Sequence, residues 1–594
     1  MNAAFLLLAG FAACAPNLTR SGEVSDHPGC DGEQDTGAPS PDTGEDDGRE
    51  REREDGEAYD GSTGGNGGDD GEDDCEDEPA VEGDPLASLG ACGRLVYAPY
   101  RPRDRELRGD ILPDFSFAGF ERGGVALPEV EAVVTVSPGS GDDTDRIQDA
   151  IDEVSARSPD ADGYRGAVLL EAGTYQCQGY LRIDTSGVVL RGDGQGEDGT
   201  TIVATGDEQY ALIEVVGERG PERIDDEVEI TDNYVPVGAV GFTVEDASGL
   251  SVGDPVAVVR TPNGAWIEAL GMDAYGWDAD SYEVEHERTI TAIDGDRITI
   301  DIPLVDSLAQ EHGGGELVLL DTGERIHHVG VEDLRLDSEY DHDEDEDHGW
   351  TGVLLEDAED SWVQRVTVEH FGGEAVSVAG SSRFITVQDA AMIDPISEIT
   401  GGRRYAFEVD DGMGVLFQRC YASEGRHNFV AGSRVTGPNV WLDSLAEDSH
   451  ADDGPHHRWA TGLLFDNIDT TQLRVQNRAD SGSGHGWAGA QVMFWNGEVS
   501  EEFVSDAPQG SMNWVVGVVG PEGDGQWVPD EPPGVQESLG EPVLPRSLYL
   551  QQLADRLGED AVERISTEAQ RDGTIWDELA DWAGDGPPPS RSGR

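Results

Sequence analysis

The segment from Gly141 to Gln195, GDDTDRIQDAIDEVSARSPDADGYRGAVLLEAGTYQCQGYLRIDTSGVVLRGDGQ, limits the possible folds more than any other stretch of the chain. It sets one amphipathic helix directly before a run of short strands. Asp142, Asp143 and Thr144 are N-cap residue types and place negative charge at the helix start. Ile147, Ala150, Ile151 and Val154 follow at i, i+3, i+4 and i+7, which gives a single apolar face. Residues 167–170 read as a buried strand, 171–175 turn into the next, and 181–183 and 188–190 continue the series. A stack of parallel strands ends in an apolar mouth with unpaired edges, and a helix laid across that mouth covers both.

The same residues carry a family resemblance. Gly141-Asp142-Asp143-Thr144-Asp145 with Gln148, Ala150, Ile151 and Asp152, followed by Gly166, Val168 and Gly173-Thr174-Tyr175, resembles the first coil of the pectate lyase/pectin lyase-like superfamily. The resemblance implies a right-handed parallel β-helix. It implies little about activity, because that fold carries lyases, hydrolases, epimerases and adhesins. Farther along, apolar strands recur at 331–336, 362–368, 384–387, 415–420, 440–445 and 473–475, roughly 20–35 residues apart, the spacing of a solenoid with loops of varied length. Aligning 415–421 on 440–446 gives a coil offset of 25 residues. The pattern changes between about 223 and 320, which reads as a β-rich insertion. After Gly534 it becomes helical, with Leu550, Leu553 and Leu557 as a stripe suited to bracing the solenoid. The expected fold is therefore all-β: a right-handed parallel β-helix over 134–533, with an N-terminal capping helix, a lead-in at 88–133, the insertion, and a helical, Pro-rich tail at 534–594.

Ahead of this body, residues 3–13 form an apolar run too short to span a bilayer, ending in Phe11-Ala12-Ala13-Cys14. That ending resembles a bacterial lipobox, which implies export, cleavage after residue 13 and a lipidated Cys14; an ordinary secretory signal is the alternative. Residues 15–87 are rich in Asp, Glu and Gly and poor in large apolar side chains, as in a disordered acidic tether. The expected location is the outer membrane or cell surface, or the medium if the chain is only secreted. Cysteine pairs such as Cys75 with Cys92 are open to an exported chain, with Cys30 a further candidate.

The net charge of −86 excludes nucleic acid and anionic membrane surfaces as partners, apart from a lipid anchor. Lysine is absent, so all 38 residues of the Lys and Arg total are arginine. Against that background, eight of the 13 histidines fall between His342 and His485, together with Arg403, Arg404, Arg426, Arg434, Arg458 and Arg478. Such local basic enrichment points to a groove for an acidic ligand. With strands stacked about 4.8 Å apart, loops 424–429 and 449–459 lie on adjacent coils and 477–487 extends the same side.

These features favour a monomer that acts on an acidic polysaccharide. In the leading reading the enzyme is a polysaccharide lyase that cleaves a uronic-acid polymer by β-elimination. The carboxylate must be neutralised to acidify its α-proton, and a base must then take that proton. His427 or His457 is the expected base, and Arg426 and Arg458 the carboxylate clamp, with His450, His456 and Asp453 orienting them. Arg403, Arg404, Tyr405, Trp459, Asn477, Arg478, His485, Trp487 and His348 complete a groove in which Arg grips carboxylates and aromatic faces stack on pyranose rings. Asp341, Asp343 and Asp345 could hold Ca²⁺. The alternative is a glycoside hydrolase: Asp452-Asp453 and Gly484-His485-Gly486 are similar to the DD and GHG elements of polygalacturonase-like enzymes, with Asp480 a further carboxylate, although the RIK and NTD elements of that family are missing. A tethered polysaccharide-binding protein without catalysis is the third reading.

Overall fold

The computed structural model describes residues 77–224 and 227–586, together with the backbone of a small ribbon that pairs Asn17–Leu18 antiparallel with Val24–Ser25. Cys14, Cys30, Cys75 and nearly all of the proposed tether lie outside the described residues; Cys92 is disulfide-bonded, and Cys177 and Cys420 are buried free thiols.

The body is a right-handed parallel β-helix. One long parallel ladder runs through Ala132–Val136, Gly166–Leu170, Val188–Arg191, Gly330–Ser338, Ala358–Glu369, Ser382–Gln388, Leu416–Gln418, Thr436–Glu447, Ala460–Val475, Gly489–Trp495, Trp514–Val516 and Val535–Glu537. A second, seven-stranded sheet stacks Leu181–Ile183, Tyr210–Val216, Gly349–Glu356, Val376–Ala379, Phe407–Val409, Phe429–Ala431 and Gly454–Pro455. The helix Thr144–Ser155 buries Ile147, Ala150, Ile151 and Val154 against the first coil, as the periodicity predicts.

Register is set by the core. Leu416 pairs with Val440 and Phe417 with Trp441, an offset of 24 residues rather than 25. A slip of one residue would turn each side chain to the other face of the sheet. The observed register stacks Phe417 on Trp441 and Trp441 on Phe465, with centroids 5.7 Å and 4.7 Å apart and nearly parallel rings.

The strands of the long sheet are apolar on both faces because both are covered. Inward residues such as Trp441 and Phe465 fill the solenoid. Outward residues Leu416, Val440, Leu442, Leu464 and Met493 pack against Leu86, Phe115 and the C-terminal helix Leu548–Leu557. In that helix Leu550 and Leu553 are buried while Leu557 is 45% exposed, so the expected stripe ends one turn early. Polar clips fix the layer: Phe115 N donates to Gln552 Oε1 at 2.9 Å, Ser547 Oγ and Tyr549 N both donate to buried Asp466, and Arg546 pairs with buried Asp443 at 2.8 Å.

The insertion has its own antiparallel pairing, from Glu222–Arg223 to Gly315–Asp321, and its own core around Phe242, Val256, Val258, Ile298 and Leu317. Its helix Gly264–Leu270 and the turns after it carry Trp266, Trp277 and Tyr282 onto the solenoid, where they enclose Trp459 and Trp487.

Candidate functional site

Alternation along the seven-stranded sheet decides what reaches its outer face. Phe407 and Val409 point into the core, so Glu408 points out; on the next coil Phe429 and Ala431 point in and Val430 points out. Beside this column Tyr405 precedes Glu408 and His427 precedes Val430, and their rings lie 5.2 Å apart. On the other side, Asp410, Gly432 and His456 follow the inward Val409, Ala431 and Pro455 of three successive coils. Gly432 is required there: a Cβ would lie 2.9 Å from the Asp410 carbonyl oxygen and 3.1 Å from its Oδ1. The missing side chain lets Asp410 pack directly against the buried Gly432. Glu374, one coil before Tyr405, accepts from Thr351 Oγ1 at 2.6 Å.

Hydrogen bonds assign the tautomers. His427 Nδ1 lies against the Asp452 carbonyl oxygen, an acceptor only, so Nδ1 carries the proton and Nε2 keeps its lone pair. That Nε2 is buried in a side chain 2% exposed and has no hydrogen-bond partner among the described residues. Arg478 Nη1 donates to His456 Nδ1 at 3.0 Å, which leaves the proton of His456 on Nε2, 3.4 Å from Tyr405 Oη. Arg426 Nη1 also donates to Tyr405 Oη, at 3.3 Å. Gly402 N donates to the same oxygen at 3.4 Å, so Tyr405 Oη faces three donors, and its own proton is available to a further group. His457 and His485 continue the cluster, 5.3 Å and 5.2 Å from the His456 ring.

Charge and burial keep these groups neutral. Burial, then Arg426, pushes the His427 imidazolium down to about 3, and burial with Arg478, Arg458 and Arg426 does the same to His485. Burial with Arg478 holds His456 well below the usual range. Burial, then Arg426, Glu408 and Arg478, acts on the Tyr405 phenol, which is raised on balance; the arginines and Glu408 therefore share one electrostatic environment. Burial with Asp410 and Glu374 holds Glu408 well above the carboxylate range, and burial, opposed by the Thr351 bond and reinforced by Asp410, lifts Glu374 to about 7. Burial opposes ionisation of Asp452 too, but Arg478, His427 and Arg474 outweigh it and hold that carboxyl below its usual range.

Glu374 gives a pH test. Between pH ~4.5 and ~7 the folded protein keeps a proton that the unfolded chain has released, so this group's contribution to stability falls as pH rises through that window. Glu374→Gln is expected to flatten the fall in melting temperature over that range and to gain ~1–3 kcal/mol on the wild type at pH ~8, read by chemical denaturation at both pH values.

The remaining residues singled out from sequence are placed as follows. Asp453 is fully buried and accepts from Asn428 N at 2.5 Å, Phe429 N at 3.2 Å and Thr470 Oγ1 at 2.6 Å, which makes it a latch between coils. His450 faces a different groove, of about 600 Å³, where it pairs with Glu424 at 2.8 Å. Arg404 is bound to the carbonyl oxygens of Ser397 and Glu424, and Arg403 pairs with Glu346 at 2.8 Å. Arg458 contacts Ser483, and Asn477 donates to Glu531 at 3.2 Å. His348 is buried between Ser338 and the Ile396 carbonyl. Trp459 and Trp487 are 1% and 2% exposed and offer no face to a ligand, because the insertion covers them. The Asp345 carboxylate accepts backbone N–H from Asp341 at 2.7 Å and Asp347 at 3.1 Å. Among the described residues, the one set of three ligand atoms within 4.8 Å is Asp337, Glu369 and His370, not Asp341, Asp343 and Asp345.

No family model matches the chain, and no curated protein matches its sequence. Solved structures that it resembles include ORF18 of Geobacillus virus E2, at 12% identity and TM-score 0.33, over 69% of this chain. The chain covers 60% of that structure's length. The A-module of the mannuronan C-5 epimerase AlgE4 from Azotobacter vinelandii aligns at 13% identity and TM-score 0.27, over 68% of this chain and 94% of the module. The surface adhesin PfbA of Streptococcus pneumoniae aligns at 8% identity and TM-score 0.29, over 65% and 86%. None of these transfers a function, so the chemistry rests on the residues of the Tyr405–His427–His456 cluster.

Several of those residues were not singled out from sequence. Glu374, Glu408 and Asp410 are three among 124 acidic residues and stand out only once the outward register is known. Trp350, packed over Gly372 and Gly373, and Trp527, stacked on Arg478 at 4.4 Å, are half-buried aromatics next to this cluster.

Proposed function

We propose that this protein is a polysaccharide lyase that cleaves a uronic-acid-containing polymer by β-elimination. The observation that carries the reading is His427: its Nδ1 is fixed by the Asp452 carbonyl, and its Nε2 lone pair is unpartnered beside Arg426, Arg478 and Tyr405. Arg426 and Arg478 grip the uronate carboxylate and stabilise the negative charge that develops as the α-proton leaves. His427 Nε2 takes that proton, the C4–O bond breaks, a C4=C5 double bond forms, and the departing oxygen takes the Tyr405 proton. The carboxylate also offsets the two arginines and so raises the basicity of His427 on binding. Trp350 and Trp527 supply the faces for sugar rings.

A second reading is favoured by the raised carboxyls of Glu374 and Glu408 and the ionised Asp452, two coils on from Glu408, since glycoside hydrolysis needs a protonated acid and a carboxylate. The purified protein is assayed on pectate, alginate and glycosaminoglycans. Elimination gives the ultraviolet absorbance of an unsaturated uronate with each new reducing end; reducing ends without that absorbance mean hydrolysis, and binding without cleavage means a lectin. Export as a Cys14-anchored monomer, calcium dependence and the choice of polymer belong to the same proposal and are read by lipid labelling, chelation and the substrate panel.

A further inference from the structure

Distant parts of the chain close one small cavity between them. Arg105 comes from the lead-in, Arg260, Asp306 and His312 from the insertion, Trp459 from the solenoid, and Ser511 from the loop before Trp514–Val516. The cavity leaves about 10 Å³ to the centre of a water-sized sphere. That is room for one water or one monatomic ion, and too little for a phosphate, sulfate or carboxylate group.

The lining is short of an acceptor. Arg260 is 6% exposed, and its Nη1 is buried with no hydrogen-bond partner among the described residues. Other buried arginines of this chain are better served: Arg288 donates to the carbonyl oxygens of Ile302, Glu287 and Pro303, and Arg419 pairs with Asp389 at 2.7 Å. Arg260 meets one carboxylate, that of Asp306, through Nε at 3.4 Å. Asp306 also accepts from Ser307 N at 2.8 Å and Trp459 Nε1 at 3.1 Å. His312 supplies a second donor. Burial, then Arg105 and Arg260, pushes its imidazolium down to about 4, and Arg105 Nη2 donates to the neutral ring at 3.0 Å. One nitrogen accepts that bond, so the other carries the proton.

Charge points the same way. The wall holds the guanidinium groups of Arg105 and Arg260 against the single carboxylate of Asp306. Glu311, which pairs with Arg105, is exposed and stands outside the wall, where solvent screens it. A buried guanidinium short of both an acceptor and a counter-charge is costly, and one monovalent anion supplies both. The lysine-free chain with its net charge of −86 also suits a salty medium in which such an ion is abundant.

We propose that this cavity binds a single halide ion, held by Arg260 Nη1 and the His312 N–H, which clasps the insertion to the solenoid beside Trp459. The site is independent of the carbohydrate reading given above.

Crystals of the full chain soaked in sodium bromide test it at the bromine absorption edge. An anomalous peak inside the cavity, within hydrogen-bond reach of Arg260 Nη1, is expected. A water in that place, or bromide on the outer surface only, overturns the proposal. Thermal melting is the second measurement. In about 1 M sodium chloride the wild type is expected to melt about 2–4 °C higher than in sodium methanesulfonate of equal strength, whose anion is too large for the cavity. Arg260→Gln keeps an amide donor for Asp306 and loses the charge, and is expected to bring the difference within about 1 °C. No gain in the wild type, or an equal gain in both proteins, overturns the proposal. Should Arg260→Gln fail to fold, the bromide peak decides.

Discussion

His427→Ala is expected to lower the rate of unsaturated-uronate formation by about 10²- to 10⁴-fold, the usual contribution of a positioned general base. The reason is geometric before it is electrostatic. His427 is the histidine of the cluster whose tautomer is fixed by a backbone carbonyl and whose other nitrogen is left without a partner. His456, by contrast, has both ring nitrogens engaged, by Arg478 and by Tyr405. The pH dependence adds a second readout. With the imidazolium pushed down to about 3, kcat/KM of the wild type should show no acid limb near the ordinary histidine range, because the free enzyme stays neutral there. In the complex the uronate offsets the arginines, so the limb in kcat should lie at higher pH than the limb in kcat/KM. A variant that keeps more than a tenth of the wild-type rate would remove His427 from the reaction.

The largest expected loss of stability comes from Asp453→Ala, at ~3–5 kcal/mol, because three donors that face the carboxylate would be left buried without an acceptor. Asp453→Asn keeps one carbonyl oxygen for the two backbone N–H groups, and its amide can donate to Thr470 Oγ1, so its cost should be about 1 kcal/mol or less. Burial pushes the Asp453 carboxyl up to about 7, against the three bonds that lower it, so the group already sits near the uncharged form that Asn imitates. Chemical denaturation of both variants separates the roles. If Asp453→Asn unfolds like the wild type but makes no product, Asp453 is a reactant and the latch assignment fails.

Much of the fold was legible in the sequence because the relevant signals are local. The helix Thr144–Ser155 shows its apolar stripe directly, and the strand runs show their alternation. Pairing register was harder to read, since Val415 and Leu416 are equally apolar and only the stacked rings of Phe417, Trp441 and Phe465 choose between them. For the candidate site, the clustering of histidine and arginine pointed to the stretch of chain that packs around His427 and His456, but not to the contacts within it. Trp459 looks like a sugar platform until the insertion, some 180 residues earlier, is seen to cover it. Asp453 looks like a reactant until its three backbone and hydroxyl donors are seen. Glu408 carries no local signal at all, because its meaning depends on facing outward without a partner in a chain with 124 acids.

The layer shared by the two ends of the described chain has a consequence for how the molecule comes apart. A solenoid whose coils touch only their neighbours can be shortened or melted from one end, since its stability is a sum over nearest neighbours. Here Leu86 N donates to Glu537, Leu95 N to Asp555 and Phe115 N to Gln552, contacts that bridge more than 430 residues of sequence. Those bridges also cover Leu416, Val440, Leu442 and Leu464 in the middle of the stack. Early and late coils are thereby tied to the same strip of surface, so the repeat gives up its modularity and the body should unfold in a single concerted step.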